Sequence, residues 1–163
     1  MAAIAVLADT HLPRGRRRLP DRCVERLRAA ELVIHAGDFS GEAAFEEIAG
    51  LCRELVAVHG NVDDAALRAR LPERTEIEAG GARIAVIHDA GPARGRLARL
   101  RRAFPEADAV VFGHSHMPLL ETDGGFQIFN PGSPTERRRA PRRTMGAAEA
   151  TAGRIRFEHV ALP

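Results

Sequence analysis

The chain has 163 residues, 45% hydrophobic and 28% charged, a composition that is ordinary for a globular protein. This length predicts one domain, residues 1–163, that is long enough to bury a sizeable core. The net charge of +2 does not mark a strongly basic nucleic-acid binder, and the lack of an 18-residue apolar run excludes a membrane-spanning helix.

The first structural signal is a series of short apolar runs that end at glycines or polar residues. Runs of this kind, separated by helix-like stretches, are typical of buried parallel strands in an α/β fold. The predicted strands are Ile4–Leu7, Leu32–Ile34, Leu55–Val58, Ile84–Ile87 and Ala109–Phe112.

The segments between these runs have helical spacing, and the last third of the chain changes to hairpins. Ser40 is predicted to cap a helix over residues 41–48, and a second helix is predicted over 97–104. Residues 119–120 and 126–129 form one predicted hairpin, and residues 145–150 and 154–160 another. Both hairpins are expected to complete a second sheet.

Metal-ligand residues directly follow each predicted strand. In an open α/β sheet the loops that leave the carboxyl ends of the strands share one edge, so these residues should converge. Carboxylate, amide oxygen and neutral imidazole suit Mn, Fe, Zn or Ni rather than metals bound by thiolates. The candidates are Asp9, His11, Asp38, Asn61, His88, His114 and His116.

Two carboxylates, one amide and four histidines predict a dinuclear metal site. Two ions about 3.5–4 Å apart can generate a hydroxide and stabilise an in-line displacement. Asp38 is the best candidate to bridge them because it is central in the order. The alternation in Asp9-Thr10-His11 lets both side chains reach one ion, whereas His114 and His116 can share an ion or serve one each.

The ordered motifs D-x-H, GD, GN, H and GHxH resemble those of the calcineurin-like metallophosphoesterases. The likeness is greatest to the small single-domain bacterial and archaeal phosphodiesterases, and Phe129–Ser133 resembles the segment that follows GHxH in that subgroup. This resemblance implies a four-layer αββα sandwich, with two mixed β-sheets flanked by helices. It also implies two divalent ions per chain, of which Mn is the leading choice and Ni, Fe and Zn are alternatives.

The resemblance further implies a division of the ligands between the two ions. One ion would take Asp9, His11, Asp38 and His116, and the other would take Asp38, Asn61, His88 and His114. Asp38, Asn61, His88 and His114 are also the predicted catalytic residues.

Two positions depart from related patterns. Larger phosphatases of the superfamily carry GNHE or GNHD, whose histidine assists the leaving group, but here the chain has Gly60-Asn61-Val62-Asp63. The leaving group must therefore take its proton from water, another histidine or Asp63. Asp89, where the subgroup often has glycine, is interpreted as a turn residue rather than a partner of the metal ligands.

The other histidines and the two cysteines are interpreted as structural residues without a role in the chemistry. His35 and His59 adjoin the ligands and are expected to be hydrogen-bonded structural residues, and His159 belongs to no motif. Cys23 and Cys52 fall in helical patterns and are too few for a disulfide framework. Because the N-terminus enters the first strand without a leader-like segment, we expect a cytoplasmic protein.

All 24 cationic residues are arginines, and two clusters stand out, Arg14–Arg18 and Arg137–Arg143. Arginine suits phosphate, so one cluster can bind the non-reacting part of an anionic substrate. The simpler interpretation, which we favour, is that a lysine-poor chain carries arginine on every solvated surface. Of the two clusters, Arg14–Arg18 is the stronger candidate because it follows His11.

These observations together predict an enzyme that hydrolyses phosphodiesters, or activated monoesters, through attack by metal-bound hydroxide. The expected partner is a small phosphodiester or nucleotide-like substrate, with a homo-oligomer as a further expectation from the resemblance. Two alternatives remain. One is a scaffold, since some proteins of this fold, including a retromer subunit, have lost ligands and bind partners; the other is a nuclease or RNA-processing enzyme that uses the arginine clusters.

Overall fold

The computed structural model describes residues 1–12 and 17–163. None of the helices in these ranges is long and apolar enough to cross a membrane. The elements in chain order are β1 (Ala2–Leu7), α1 (Asp21–Ala29), β2 (Leu32–His35), α2 (Glu42–Ala49), β3 (Leu55–Ala57), α3 (Ala65–Arg70), β4 (Arg74–Ala79), β5 (Ala82–Ile87), α4 (Arg96–Ala103), β6 (Ala109–Val111), β7 (Leu119–Asp123), β8 (Phe126–Asn130), β9 (Arg143–Thr151) and β10 (Arg154–Leu162).

The described strands form two mixed five-stranded sheets. The first has the order β10-β9-β1-β2-β3, in which β1, β2 and β3 are parallel and β9 runs antiparallel to β1. The second has the order β4-β5-β6-β8-β7, in which β5, β6 and β8 are parallel and the edge strands are antiparallel. The predicted pair of mixed sheets is therefore confirmed.

Alternate side chains of the central strands enter different hydrophobic layers, as the two-residue period of a strand requires. In β1, Ile4 and Val6 pack in the core between the sheets, with Ile84 and Phe129 of the second sheet. Leu7 points instead into the layer beneath α1 and α2. Both faces of β1 are thus covered, which explains why its sequence is apolar without alternation.

The helices form the two outer layers. Cys23, Phe45 and Leu67, from the first three helices, are buried against the outer face of the first sheet. Leu100 of α4 and the following Phe104 pack against the outer face of the second. The four-layer αββα arrangement is the predicted one.

The structure corrects several local predictions. The β9–β10 hairpin belongs to the first sheet rather than the second, because β9 pairs with β1 from Ala2 to Val6. The sequence did not predict β4, an edge strand whose alternation of exposed and half-buried residues includes one large apolar side chain, Ile77. Ser40 does not cap α2, which starts after Gly41 without a side-chain cap. Cys52 lies just beyond α2, and both cysteines are free thiols in the described chain.

The central strands of both sheets end on the same side of the molecule. The backbone N–H of Asp9, just after β1, donates to the carbonyl of Gly37 after β2 at 3.0 Å. In the other sheet, Gly113 N–H donates to the carbonyl of His88 at 2.9 Å. The candidate ligands therefore emerge from two facing sheets rather than from the edge of one open sheet.

Gly146 in β9 lies at a close contact between the two sheets, and we predict that Gly146→Ala destabilises the protein. A Cβ atom at this position would lie 2.4 Å from Cε1 of Phe129 and 2.9 Å from Cβ of Val6. Because both neighbours are buried, relief of the overlap requires a shift of packed side chains, at a cost of about 1–3 kcal/mol. Urea unfolding measures the loss.

Gly50→Ala is the matched control for this prediction. Gly50 has an ordinary right-handed φ of −65°, and a Cβ atom there would meet no neighbour closer than 3.4 Å. An equal loss of stability in both variants would contradict the role of Gly146 as a close-packing position.

Candidate metal centre

All seven predicted ligands converge at the ends of the central strands. Five of them are buried, whereas Asn61 and His114 are exposed and form the open side of the cluster. The ligands are linked by short distances between their oxygen and nitrogen atoms, so that His11 and His116, which are 105 positions apart in the chain, are neighbours.

The first group contains Asp9, His11 and His116, whose candidate ligand atoms all lie within 4.8 Å of one another. The Nε2 atoms of His11 and His116 are 3.2 Å apart, and Nε2 of His116 is 3.7 Å from Oδ1 of Asp9. Both carboxylate and imidazole atoms therefore face one small volume.

The second group contains Asp9, Asp38 and His88, with the same 4.8 Å limit. Asn61 adjoins it, since its Oδ1 lies 2.9 Å from Nε2 of His88 and 3.1 Å from Nδ1 of His114. These contacts place the amide and the exposed histidine beside His88.

Two carboxylates lie between the groups. Oδ2 of Asp38 is 3.6 Å from Nε2 of His11 and 3.3 Å from Nε2 of His88. Oδ1 of Asp9 is 3.7 Å from Nε2 of His116 and 4.0 Å from Nε2 of His88. The position of Asp38 fits a bridging ligand, and Asp9 also contacts both groups.

Hydrogen bonds to backbone carbonyls orient two of the imidazoles. Nδ1 of His88 donates to the carbonyl of Ala36 at 2.7 Å, and Nδ1 of His116 donates to that of Glu136 at 2.9 Å. Each bond places a proton on Nδ1, so that Nε2 is the ring nitrogen that faces the cluster. This is the arrangement by which outer partners normally fix a metal-binding histidine.

The backbone is strained at these positions. Asp9, His11, Asp38, His114 and His116 all have positive φ angles, between 45° and 73°. Such left-handed conformations cost about 1–3 kcal/mol each for residues other than glycine and are concentrated at functional sites. The fold holds the ligand side chains in directions that relaxed loops would not give them.

Two glycines explain why the motifs read Gly-Asp and Gly-Asn. A Cβ atom on Gly37 would lie 2.8 Å from Nδ1 of His88, and one on Gly60 would lie 2.0 Å from Oδ1 of Asp38. A larger residue at either position would occupy the space of a ligand side chain.

Burial sets the charge balance of the cluster. Burial, aided by the charge of Asp38, raises the pKa of Asp9 to about 7. Burial also acts to raise the pKa of Asp38, but its hydrogen bond to His88 and the charge of that ring outweigh burial, and the pKa falls to about 2. Burial lowers the pKa of His11 and brings that of His116 to about 4.

The cluster fits a bound divalent cation. Oδ2 of Asp9 and Nδ1 of His11 are buried without a hydrogen-bond partner among the described residues. Because the pKa values of His11 and His116 are lowered, these two rings add no positive charge beside the buried carboxylates, and a divalent ion would supply it. The donor set holds oxygen and nitrogen but no thiolate, as suits Mn, Fe, Zn or Ni.

Asp63 organises the loops rather than donating a proton. Its Oδ2 accepts the backbone N–H groups of Asp38 at 3.0 Å and Gly60 at 2.7 Å, and its Oδ1 accepts that of Ser40 at 2.8 Å. Both oxygens of Asp63 accept backbone N–H groups, so the geometry gives this residue a structural role and does not favour it as the proton donor to the leaving group. The only sequence signal for Asp63 was its position in the Gly60-Asn61-Val62-Asp63 segment, which does not indicate these hydrogen bonds.

The segment Asn130–Ser133 supports the ligand loops from the other sheet. Nδ2 of Asn130 donates to the carbonyl of Gly113 at 3.1 Å, and the Ser133 hydroxyl donates to that of Asp9 at 2.8 Å. These bonds give a physical reason for the predicted likeness of the Phe129–Ser133 segment to the related subgroup.

The remaining polar residues near the ligands are structural, as predicted. His35 is fully buried, stacks on Phe39 and accepts the Gly37 N–H at Nδ1, which leaves its Nε2 proton for Thr10 Oγ1 at 3.0 Å. Asp89 is a turn residue, since its Oδ1 accepts the N–H of Gly91 at 2.8 Å.

The structure describes part of the first arginine cluster and places His159, which belongs to no motif, in a strand. Arg14, Gly15 and Arg16 are outside the described residues, so the first cluster is described only by Arg17, which pairs with Glu136 at 3.5 Å, and Arg18. His159 lies in β10, and its ring stacks on that of Phe129.

Known proteins share this sequence pattern and fold. The family model for the calcineurin-like phosphoesterase superfamily domain matches residues 2–153. A probable metallophosphoesterase of Methanocaldococcus jannaschii is 33% identical over 135 residues, which are 81% of this chain and 68% of the relative. Vps29 from Entamoeba histolytica, complexed with Zn²⁺, is 24% identical with a TM-score of 0.77 over 98% of both chains. An archaeal phosphodiesterase is 18% identical with a TM-score of 0.71, covering 97% of this chain and 99% of that one.

We predict that Asp63→Asn weakens both the fold and the cluster. An amide in place of the carboxylate loses the charge and turns an N–H group toward a backbone donor, at a cost of about 2–3 kcal/mol in the free energy of unfolding. Metal affinity should fall about 10–100-fold because the Asp38 and Gly60 loops lose their common anchor. Urea unfolding of metal-free protein and calorimetric metal titration measure the two effects.

Asp64→Asn provides the control, since Asp64 caps α3 through Leu67 N–H and asparagine caps a helix equally well. If Asp63→Asn behaves like Asp64→Asn in both measurements, the anchoring role of Asp63 is wrong.

We predict that His35 makes the metal-free protein less stable in acid. Burial, followed by the charge of His88, lowers the pKa of His35 to about 3, whereas the unfolded value is about 6.5. The unfolded chain therefore takes up a proton below pH 6.5 that the folded chain refuses until about pH 3. The free energy of unfolding should fall by up to about 1.4 kcal/mol per pH unit in that window.

His35→Asn tests this, because its amide oxygen can accept the Gly37 N–H and does not titrate. Urea unfolding between pH 7 and pH 4 should give a shallower pH slope for the variant, whatever its stability at pH 7. Parallel slopes for the two proteins would rule out His35 as the source.

Proposed function

Because this chain belongs to the calcineurin-like phosphoesterase superfamily, we propose that it is a dinuclear metal-dependent phosphoesterase that hydrolyses phosphodiester bonds. The observation that carries the proposal is the convergence of seven oxygen and nitrogen ligands, with Asp38 within 3.6 Å of histidines on both sides. Every position of the ligand set is filled, which favours a hydrolase over a scaffold that has lost its metals.

In this proposal the ligands divide as the sequence resemblance implies. Asp9, His11, Asp38 and His116 would hold one ion, and Asp38, Asn61, His88 and His114 would hold the other. Two bound divalent ions supply Lewis-acid activation of water and stabilisation of charge on the phosphoryl oxygens. Manganese is the proposed metal, and the same donors also suit Fe, Ni and Zn.

The exposure of the ligands supports a direction of approach for the substrate. Asp9, His11, Asp38, His88 and His116 are buried beneath the cluster, whereas Asn61 and His114 are exposed. A phosphoryl group would therefore enter on the side of Asn61 and His114. Their side-chain N–H groups would face its non-bridging oxygens, where charge increases in the transition state.

The residues after Asn61 favour a diester or a good leaving group. Val62, with 43% of its surface exposed, stands where larger phosphatases carry a histidine, and it has no proton to donate. The Asp63 carboxylate is committed to three backbone donors. An alkoxide leaving group would therefore depend on solvent for its proton.

A pocket of about 220 Å³ beside Asn61 and His88 is the proposed place for one ester arm. His59, Arg68 and Glu73 also line it. The Arg68 guanidinium donates to the carbonyls of Asn61 and Asp63, so it braces the loop rather than facing an anion. Another pocket, of about 210 Å³ on the outer face of β9 and β1, lies away from the ligands and has no part in the proposal.

The test compares a chromogenic phosphodiester, bis(p-nitrophenyl) phosphate, with p-nitrophenyl phosphate. Metal-stripped protein receives Mn²⁺, Ni²⁺, Zn²⁺ or Mg²⁺, and the diester should be the better substrate with at least one of them. Asp38→Asn removes the charge between the two groups and should lower kcat/KM by about 100-fold or more.

Asp123→Asn is the matched control, because Asp123 is an exposed residue at the end of β7 whose carboxylate pairs with Arg101 at 3.2 Å, away from the candidate ligands. Diester turnover without added metal, or turnover that survives in Asp38→Asn, would contradict the dinuclear mechanism. Two ions bound per chain without turnover would favour the scaffold alternative.

A further inference from the structure

The pairing of β4 with β5 places Glu73 beside the candidate ligand His88. The end pair of the two strands is Arg74 with Ile87, so Glu73 and His88 come next on the two neighbouring chains. Val86 of β5 packs in the core between the sheets, and the two-residue period puts His88 on that same face. The backbone at Glu73 therefore runs beside a residue of the metal cluster.

The side chain of Glu73 belongs to the face of β4 that is turned toward the other sheet. Ile77 and Ala79 pack against the core between the sheets. Arg74 lies on the opposite face, where its Cζ atom is 5.6 Å from the centroid of the Phe104 ring in the outer layer. Because side chains alternate along a strand, Glu73 shares the face of Ile77 and Ala79.

A direct contact joins this end of β4 to the loop that carries Asn61. The carbonyl of Pro72 accepts the backbone N–H of His59 at 3.0 Å, which fixes the residue before Glu73 against the residues before Asn61. Glu73, Asn61 and His88 line one pocket of about 220 Å³. The carboxyl group of Glu73 is thus part of the cavity that opens beside two candidate ligands.

The charged side chains of this pocket are mainly acidic. Glu73 and Asp89 are both exposed in it, and neither forms an ion pair within residues 1–12 and 17–163. The Arg68 guanidinium also lines the pocket, but it donates to the carbonyls of Asn61 and Asp63. At neutral pH two carboxylates therefore face the pocket against one guanidinium that is already engaged.

We propose that Glu73 is a specificity residue that binds an ammonium group on one ester arm of the substrate. The preferred substrate would be a phosphodiester with a short arm that ends in a primary ammonium group. This inference rests on the proposed function, because it assumes that the phosphoryl group is held at the seven ligands.

The chemistry of the pocket favours a cationic arm over a neutral one. An ammonium group donates a charge-assisted hydrogen bond to the Glu73 carboxylate, and the nearby charge of Asp89 adds to the attraction. A hydroxyl group on the arm would mainly exchange a hydrogen bond with water for one with the carboxylate, so its net gain is small. An apolar arm would make neither interaction.

The experiment measures the binding of phosphorothioate diesters, which resist hydrolysis. Each has one methyl arm, and its second arm is 2-aminoethyl, 2-hydroxyethyl or propyl, which have equal numbers of heavy atoms. Calorimetry on the manganese-loaded full chain at low salt gives the dissociation constants. The aminoethyl diester should bind about fivefold more tightly than the propyl diester, as an exposed ion pair of favourable geometry allows. The hydroxyethyl diester should stay within about twofold of the propyl diester.

Glu73→Gln is the test variant, and Glu76→Gln is its matched control. Glu76 is exposed in the same strand, but it lies on the opposite face from Glu73 and does not line the pocket. The preference for the aminoethyl diester should fall below about twofold in Glu73→Gln and be unchanged in Glu76→Gln. Circular dichroism of each variant confirms that the fold is intact before binding is compared.

The two proposals are tested separately by these titrations. Binding of the propyl diester should require manganese, and metal-independent binding would contradict the proposed function alone, since the difference between the arms is still measured. A preference for the aminoethyl arm that is lost only in Glu73→Gln supports the specificity role. No preference in the wild type, a preference that survives in Glu73→Gln, or an equal loss in Glu76→Gln would overturn it.

Discussion

The structure depends on the burial of two carboxylates, Asp9 and Asp38, beside each other at the end of the sheets. Two such charges repel each other where burial has removed most of their hydration. The surrounding groups reduce this penalty: the His88 ring lies 3.3 Å from Asp38, and the N–H groups of Val62 and His114 each donate to one of the carboxylates. The compensation is incomplete at Oδ2 of Asp9, which has no hydrogen-bond partner among the described residues, and a cation at the site would complete it.

That requirement explains the strain and close packing around the cluster. Ligands with left-handed backbones and glycines that touch ligand side chains are unfavourable as local structure, so their free energy must be offset elsewhere. Two covered sheets, with apolar side chains packed on both faces of their central strands, provide that stability. Asp63 connects the ligand loops to one another, because its carboxylate accepts backbone N–H groups at three loop positions.

The same fold occurs in proteins with different roles, so the site and not the fold carries the functional argument. The resemblance to Vps29 and to an archaeal phosphodiesterase establishes the architecture at 24% and 18% identity. The complete ligand set and the lack of a proton donor at Val62 then favour diester hydrolysis.

The sequence by itself determined the central strands, the helices between them and the seven candidate ligands. A buried parallel strand is apolar throughout, and the residues that follow these strands are of the types that bind metal ions. It did not determine β4, whose edge position leaves little apolar signal, or the sheet joined by the β9–β10 hairpin, since strand pairing depends on contacts distant in the chain. The role of Asp63 was decided only by the tertiary structure. A carboxylate in a loop has an ordinary sequence context, and the backbone N–H groups that it accepts are brought near it by folding alone.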